Sequence, residues 1–488
     1  MEPCRWTGRG EPCGGSTRLA WVVGIWLVAV LGSIHQERFA GPTPASRLDL
    51  LFAIVRHGTL AIDAYHENTP DKAWHAGHYY SDKAPGTVAV ALPGFWLAHE
   101  IVQQVRPDAV DRTVWLVGSW VACATSQALP AALGGCLLWI WLGRFVHARA
   151  AWVAVMALWL GSLPLPYTTM LFSHAQTIGL ISLALWALAL FEGLPPRHSG
   201  DGPTSRPTVE PMDAEAIRLP GWRYGLAGGC LGLSLASEYT AGLVVVALGL
   251  FVIWQRRRGR LWFLVGAVPP LLLVPAYSWA TVGVPWELPY SYQASFPEMA
   301  KGLYAIQWPD LENLLRLLFG PTRGLVFWTP FLLMAGWGWV WVARERPAWL
   351  WLTYVVPLLQ VVVISGRTWD WQAGYTLSAR YLSPILPLVA LPCALGMQRW
   401  PTLGAVLAAL SVGMVTLATV TDACPVYDVE VPLSELHIPR LLCGEFTYNA
   451  LSVLCGFPPA VAAGLYSGLL VAGLVWGWRA CGRSDARR

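Results

Sequence analysis

Charge is what this chain has least of. Lys, Arg, Asp and Glu make up 13% of its 488 residues, against 55% hydrophobic residues and a mean hydropathy of +0.47. A soluble protein averages roughly 25% charged residues, so this composition excludes a soluble globular domain. Short segments of alternating polarity are also missing, which excludes an outer-membrane barrel. No repeat period stands out, and the ten cysteines show no metal-ligand spacing. Cys123, Cys136, Cys230 and Cys393 lie inside apolar runs as small core residues. Cys424, Cys443 and Cys455 share one late loop, with material for one disulfide. The net charge of +4 gives no nucleic-acid signal.

What is present is a series of apolar runs, each near the roughly 17–25 residues that cross a bilayer core. The chain reads as all-α, a polytopic helical membrane protein. Basic residues favour cytoplasmic loops, and "RRRGR" (256–260), "RER" (344–346), "GRFVHAR" (143–149) and the two termini are basic. Holding these inside gives about twelve spans, near 19–35, 113–142, 150–166, 175–193, 224–237, 240–255, 261–282, 324–343, 348–366, 381–398, 402–421 and 459–478. Both termini are then cytoplasmic, the first span is retained rather than cleaved, and the expected location is the inner (plasma) membrane. The whole chain, 1–488, is one membrane domain. It carries a first outer loop over 36–112, a flexible Pro/Gly-rich cytoplasmic linker over 194–222 and a cysteine-bearing outer loop over 423–458.

Two segments constrain this threading. The run 87–105 breaks the parity if it crosses, so it is expected to stay on the outer side as a juxtamembrane or partly embedded helix broken near Pro93. The run 224–255 starts after one basic segment and ends at Arg256, so it crosses twice. Its turn, "SEYT" (237–240), sets Glu238 near the outer face, where a buried acid needs a partner or a function.

The threading collects the unusual residues on one side. In the first outer loop, 46–57 reads as an amphipathic helix at the interface, with Leu48, Phe52 and Val55 among Arg47, Asp49 and Arg56. A polar stretch follows with Asp63, Asp71, His75, His78, Asp82 and Lys83. Asp82 balances the charge of Lys83, and the two histidines lack a third ligand, so no essential metal is motivated. Later outer segments add His174, then Arg323 beside a second interfacial helix "LENLLRLLF", then Arg367, Asp370, Arg380 and Tyr381. Carboxylates, a lysine and arginines on an outer membrane surface suit a lipid-linked phosphate. Arg holds such a group by a fork and Lys as a point charge, while a carboxylate deprotonates an acceptor as charge develops on the leaving phosphate.

The stretch "NTPDKAWHAGHYYSDKAPGTVAVALPGFWL" resembles the first outer loop of GT-C membrane glycosyltransferases. Within them it is similar to bacterial members of the protein-mannosyltransferase and aminoarabinose-transferase group. "YYSDKAPG" is close to their tyrosine–lysine–proline motif, and "ARYLSPILP" (379–387) is similar to the arginine-bearing start of a late helix. The resemblance implies a transferase that moves a sugar from a polyprenyl-phosphate donor to an acceptor outside the membrane. It implies that Lys83 contacts the lipid phosphate, with Tyr80 nearby and Arg380 on the other side. The family's acid just before the first-loop arginine is absent, because "PASRLD" offers none ahead of Arg47. The base therefore falls to Asp71, Asp63 or Asp49. His174 stands where relatives often have an acid, and Glu238 is the intramembrane candidate. A transporter or lipid flippase, and an inactive scaffold of the same fold, are the rival readings.

Overall fold

The computed structural model describes residues 14–32, 41–107, 111–190, 219–300, 305–367, 369–426 and 428–485. Most of the expected linker, 194–222, lies outside these. The helices run in chain order as Gly14–Leu31 (α1), Pro42–Phe52 (α2), Gly86–Val105 (α3), Asp111–Cys123 (α4), Leu129–Leu142 (α5), Ala148–Leu160 (α6), Pro164–Tyr167 (α7), His174–Ala187 (α8), Gly221–Ser237 (α9), Gly242–Gln255 (α10), Arg260–Val282 (α11), Leu311–Phe319 (α12), Leu325–Trp328 (α13), Met334–Glu345 (α14), Val356–Ser365 (α15), Leu386–Arg399 (α16), Pro401–Asp422 (α17), Ile438–Cys443 (α18), Ala450–Cys455 (α19) and Pro459–Asp485 (α20). Two short strands, Lys72–His75 (β1) and His78–Ser81 (β2), pair antiparallel as a hairpin.

Six helical stretches among the described residues are long and apolar enough to cross a membrane: Thr113–Leu142, Arg260–Val282, Pro347–Ser365, Arg380–Arg399, Pro401–Asp422 and Pro459–Arg483. Leu19–Leu31, Ala148–Leu160 and Tyr239–Gln255 are apolar but shorter. The 113–142 run is one helix, as its length requires, with α4 and α5 joined through a π-helical turn at Ala124–Ala128. Hydroxyls inside the helices donate back to the preceding turn, as Ser126 does to Ala122 O, Ser234 of α9 to Cys230 O and Thr419 to Val415 O. That local bond removes the cost of an unpaired hydroxyl in an apolar setting.

Two sequence expectations are corrected, and the question of a disulfide is answered. The helix α3 runs unbroken through Pro93: the proline forfeits one backbone bond, and packing along α4 holds the helix together. The segment α2 does not lie on a surface, for every residue from Thr43 to Phe52 is buried. Phe52 stacks on Trp115 of α4 at 4.7 Å and meets Phe95 of α3 edge-on at 4.9 Å, so α2 is walled in on its apolar side. The three late cysteines are free: Cys424 is buried with its thiol on Tyr375 O, and Cys443 and Cys455 are exposed. The expected short helix "LENLLRLLF" is present as α12, capped by Asp310, whose carboxylate accepts from Asn313 N at 2.7 Å.

Helices approach closely where side chains vanish. In the crossing of α5 with α8, a Cβ on Gly134 would stand 2.5 Å from Gly179 Cα, and one on Gly179 would collide with Pro130 O. Small residues of this kind supply the van der Waals contact that drives helix association in lipid. This crossing fixes the start of α8, and with it His174.

Candidate active site

The stretch "YYSDKAPG" ends the hairpin and starts α3. The hairpin turns tightly at Ala76 and Gly77, both at positive φ (51° and 88°), the geometry that matches strand twist in a two-residue loop. Its end is pinned by the Tyr277 hydroxyl, which donates to Ser81 O at 2.8 Å, and by Ser46 Oγ against Ser81 Oγ at 2.7 Å. Pro85 precedes the first turn of α3 and Gly86 abuts the end of α9, where a Cβ would lie 2.6 Å from Ser237 Oγ. The polar tip between them, Asp82 and Lys83, is thereby driven inward rather than into solvent.

Lys83 is 7% exposed and sits between two carboxylates. Its Nζ is 2.9 Å from Asp71 Oδ2 and 3.2 Å from Asp82, and it lies 5.0 Å above the ring of Tyr290. Asp71 also accepts from the Thr43 hydroxyl at 2.7 Å, and Asp82 from Gln293 Nε2 at 2.8 Å. Burial alone would raise Asp71, but Lys83 and the Thr43 hydroxyl bring it below the usual carboxylate range. Burial dominates at Asp82, pushing it up to about 6 despite Lys83, with the Asp71 charge adding to the rise. Burial opposes charge on Lys83, yet its two carboxylates hold its pKa well above the ordinary lysine value.

A second group meets this one from the far side. Arg47, 3% exposed, donates to Leu171 O at 3.3 Å and to Ser173 Oγ at 3.2 Å. The Ser173 hydroxyl in turn donates a hydrogen bond to Glu238 Oε2 at 2.5 Å, and the Thr240 hydroxyl donates to Glu238 Oε1 at 2.9 Å. His174, the first residue of α8, sets Nδ1 3.2 Å from Ser383 Oγ and 3.6 Å from Glu238 Oε2. Arg380 packs its guanidinium on Phe172 at 4.8 Å and on Tyr381 at 5.2 Å. Tyr381 donates to Asp370, which also holds Arg367 at 3.0 Å. Arg47 feels the charges of Glu238, Arg380 and Asp82, and Asp71 feels Arg380, so the two groups form one buried polar centre. Among the described residues neither Arg47 nor Arg380 makes an ion pair, and the Nε of each is buried without a partner.

Of the residues singled out in the sequence, Asp71, Lys83, Arg380, His174 and Glu238 converge here. Asp63 does not: it is half-exposed and bound to His78 Nδ1 at 2.6 Å and Tyr79 N at 2.7 Å, bracing the hairpin. Tyr80 stands beside it on β2, within reach of its charge. Among the described residues Asp49 makes no ion pair with Lys83 or Arg47. It accepts from Asn68 Nδ2 at 3.0 Å while Oδ2 has no partner among the described residues, and burial pushes it up to about 7. Arg323 spends its donors on the carbonyls of Thr322, Pro425 and Val426, a structural role. Sequence reading passed over Thr43, Ser46 and Ser173. The first two were legible, since 43, 46 and 47 fall on one face of a helix.

No family model matches the sequence, and no curated relative does either. Among solved structures, the chain is similar to ArnT from Cupriavidus metallidurans in the apo state, at 17% identity and a TM-score of 0.47, over 95% of this chain and 77% of that one. The same protein bound to undecaprenyl phosphate gives 15% identity and a TM-score of 0.46, over 98% and 78% of the two chains. The arabinosyltransferase EmbB from Mycobacterium smegmatis gives 15% identity and a TM-score of 0.40, over 97% of this chain but 42% of that one.

Proposed function

We propose that this protein is a membrane glycosyltransferase that moves a sugar from a polyprenyl-phosphate donor to an acceptor hydroxyl or amine at the outer face of the plasma membrane. The reading includes the twelve crossings and cytoplasmic termini expected from the sequence. The observation that carries it is the buried meeting of Asp71 and Lys83, from the first loop, with Arg380, from the start of a late helix, beside His174 and Glu238. Arg380 and Arg47, free of carboxylate partners among the described residues, suit the donor phosphate, which carries one negative charge as a diester and two once it leaves, and Lys83 adds a third positive charge. Asp71 is the first-loop acid that shares the centre, so it is the base for the acceptor proton, ahead of Asp63 and Asp49. The glycosidic bond to phosphate breaks as the bond to the acceptor forms, the phosphate leaves with the electron pair, and the cations stabilise it.

Donor binding tests this. The full chain in detergent is titrated with polyprenyl phosphate and with polyprenyl-phosphate hexoses, beside Lys83→Ala and Arg380→Gln. Saturable binding that each substitution weakens by roughly 10–100-fold, the worth of a hydrogen bond to a charged group, supports the reading. A folded wild type that binds none of these lipids overturns it in favour of a transporter or an inactive scaffold. Arg380 has no ion pair to strand, so its variant reports on binding even where Lys83→Ala unfolds the centre.

A further inference from the structure

A groove of about 470 Å³ opens between α6, α17 and α20, remote from the polar centre. Its floor is made of small residues of α17, namely Ala405, Ala408, Ala409 and Gly413, and its walls of Trp152, Leu470 and Trp478. The walls are set rigidly: the Trp152 indole donates to Leu474 O at 3.3 Å and fits where Gly477 has no side chain. Both α17 and α20 belong to stretches apolar and long enough to span a membrane. The groove therefore opens to acyl chains.

Two features make it more than a rough lipid-facing surface. At one end Arg149, exposed at the start of α6, lays its guanidinium on the Trp478 ring at 4.9 Å, in space left by Gly482. Asp485 binds the backbone N–H groups of Ala148 and Arg149 at 2.9 and 3.2 Å, and among the described residues the guanidinium makes no ion pair. At the other end, Thr416 belongs to the lining and its hydroxyl has no partner among the described residues, unlike Thr419 and Thr421 on the same helix, which bond the preceding turn.

We infer that this groove is a binding site for one acyl chain of an anionic glycerophospholipid, with its phosphate on Arg149. The chain length needed matches the run from Trp478 to Ser467, about 17 Å at 1.5 Å per residue. A phosphate at Arg149 sits where a cation held by an aromatic face meets the headgroup level.

The test is native mass spectrometry of the full chain released from mixed phosphatidylglycerol and phosphatidylcholine bilayers. Wild type should retain one lipid, with phosphatidylglycerol preferred. Gly413→Leu should lower retention by about tenfold, equivalent to losing roughly two buried methylenes of contact. A Cβ at Gly413 meets nothing within 4 Å, so this variant fills the groove without moving the backbone. Arg149→Gln should keep a lipid but lose the headgroup preference. Equal retention by Gly413→Leu and wild type overturns the site. Equal retention of the two headgroups by wild type overturns the role of Arg149, and a dimer that Gly413→Leu dissociates shows instead that a second copy fills the groove.

Discussion

Asp49 and Asp71 lie on the same buried loop-and-helix unit and are treated in opposite ways. Asp71 has Lys83 and a hydroxyl to hold its charge, whereas Asp49 has one amide and an oxygen facing nothing. Its folded pKa of about 7 lies above the unfolded value of 3.8, so the folded state binds the extra proton. The stabilisation from this carboxyl is complete below 3.8 and is lost as pH rises through about 7. Asp49→Asn keeps the acceptor for Asn68 and removes the charge. It should therefore raise thermal stability at pH 8.5 by on the order of 1–3 kcal/mol and change little at pH 3.5. Unfolding curves at the two pH values check this, and equal effects at both would remove the buried charge from the explanation.

At the scale of elements, the parts legible in the sequence were those carried by long apolar runs and by spacing. The double run 224–255 folds as α9 and α10 around Glu238, and α12 starts at Asp310, because composition and caps act locally. The burial of α2 was not legible. Its charges read as a surface face, and only the walls supplied by α3, α4 and the loop at Leu171 turn Arg47 and Asp49 inward. The convergence of Lys83 with Arg380 was expected from a family motif, and Ser173, which links Arg47 to Glu238, needed tertiary contacts to be seen. The α5–α8 crossing is where an element sets the site, because it places His174. Gly179→Leu cannot be accommodated against Pro130 and should destabilise the fold by about 1–3 kcal/mol or more. A melting curve in detergent measures it, and Gly413→Leu, in open space, serves as the matched control.

At the scale of the molecule, the proposed orientation sets Cys443 and Cys455 outside and buries Cys481 near the opposite ends of the helices. In right-side-out vesicles a membrane-impermeant maleimide should label the first two without permeabilisation. Labelling that needs permeabilisation would put the polar centre on the cytoplasmic side. The centre also has a history in time. Lys83, Asp71 and Asp82 leave the ribosome about 300 residues ahead of Arg380, a wait of roughly 15–60 s at the usual pace of synthesis. Through that interval the nascent first loop carries its own counter-charges, so its lysine needs no late-made partner to be buried. Arg380 then arrives as the last charge in a pocket already shaped. Any chain cut short before it would keep the charges of the first loop but lack this cation together with α16, α17 and α20, so the pocket's last charge and the helices that close the bundle are gained or lost together.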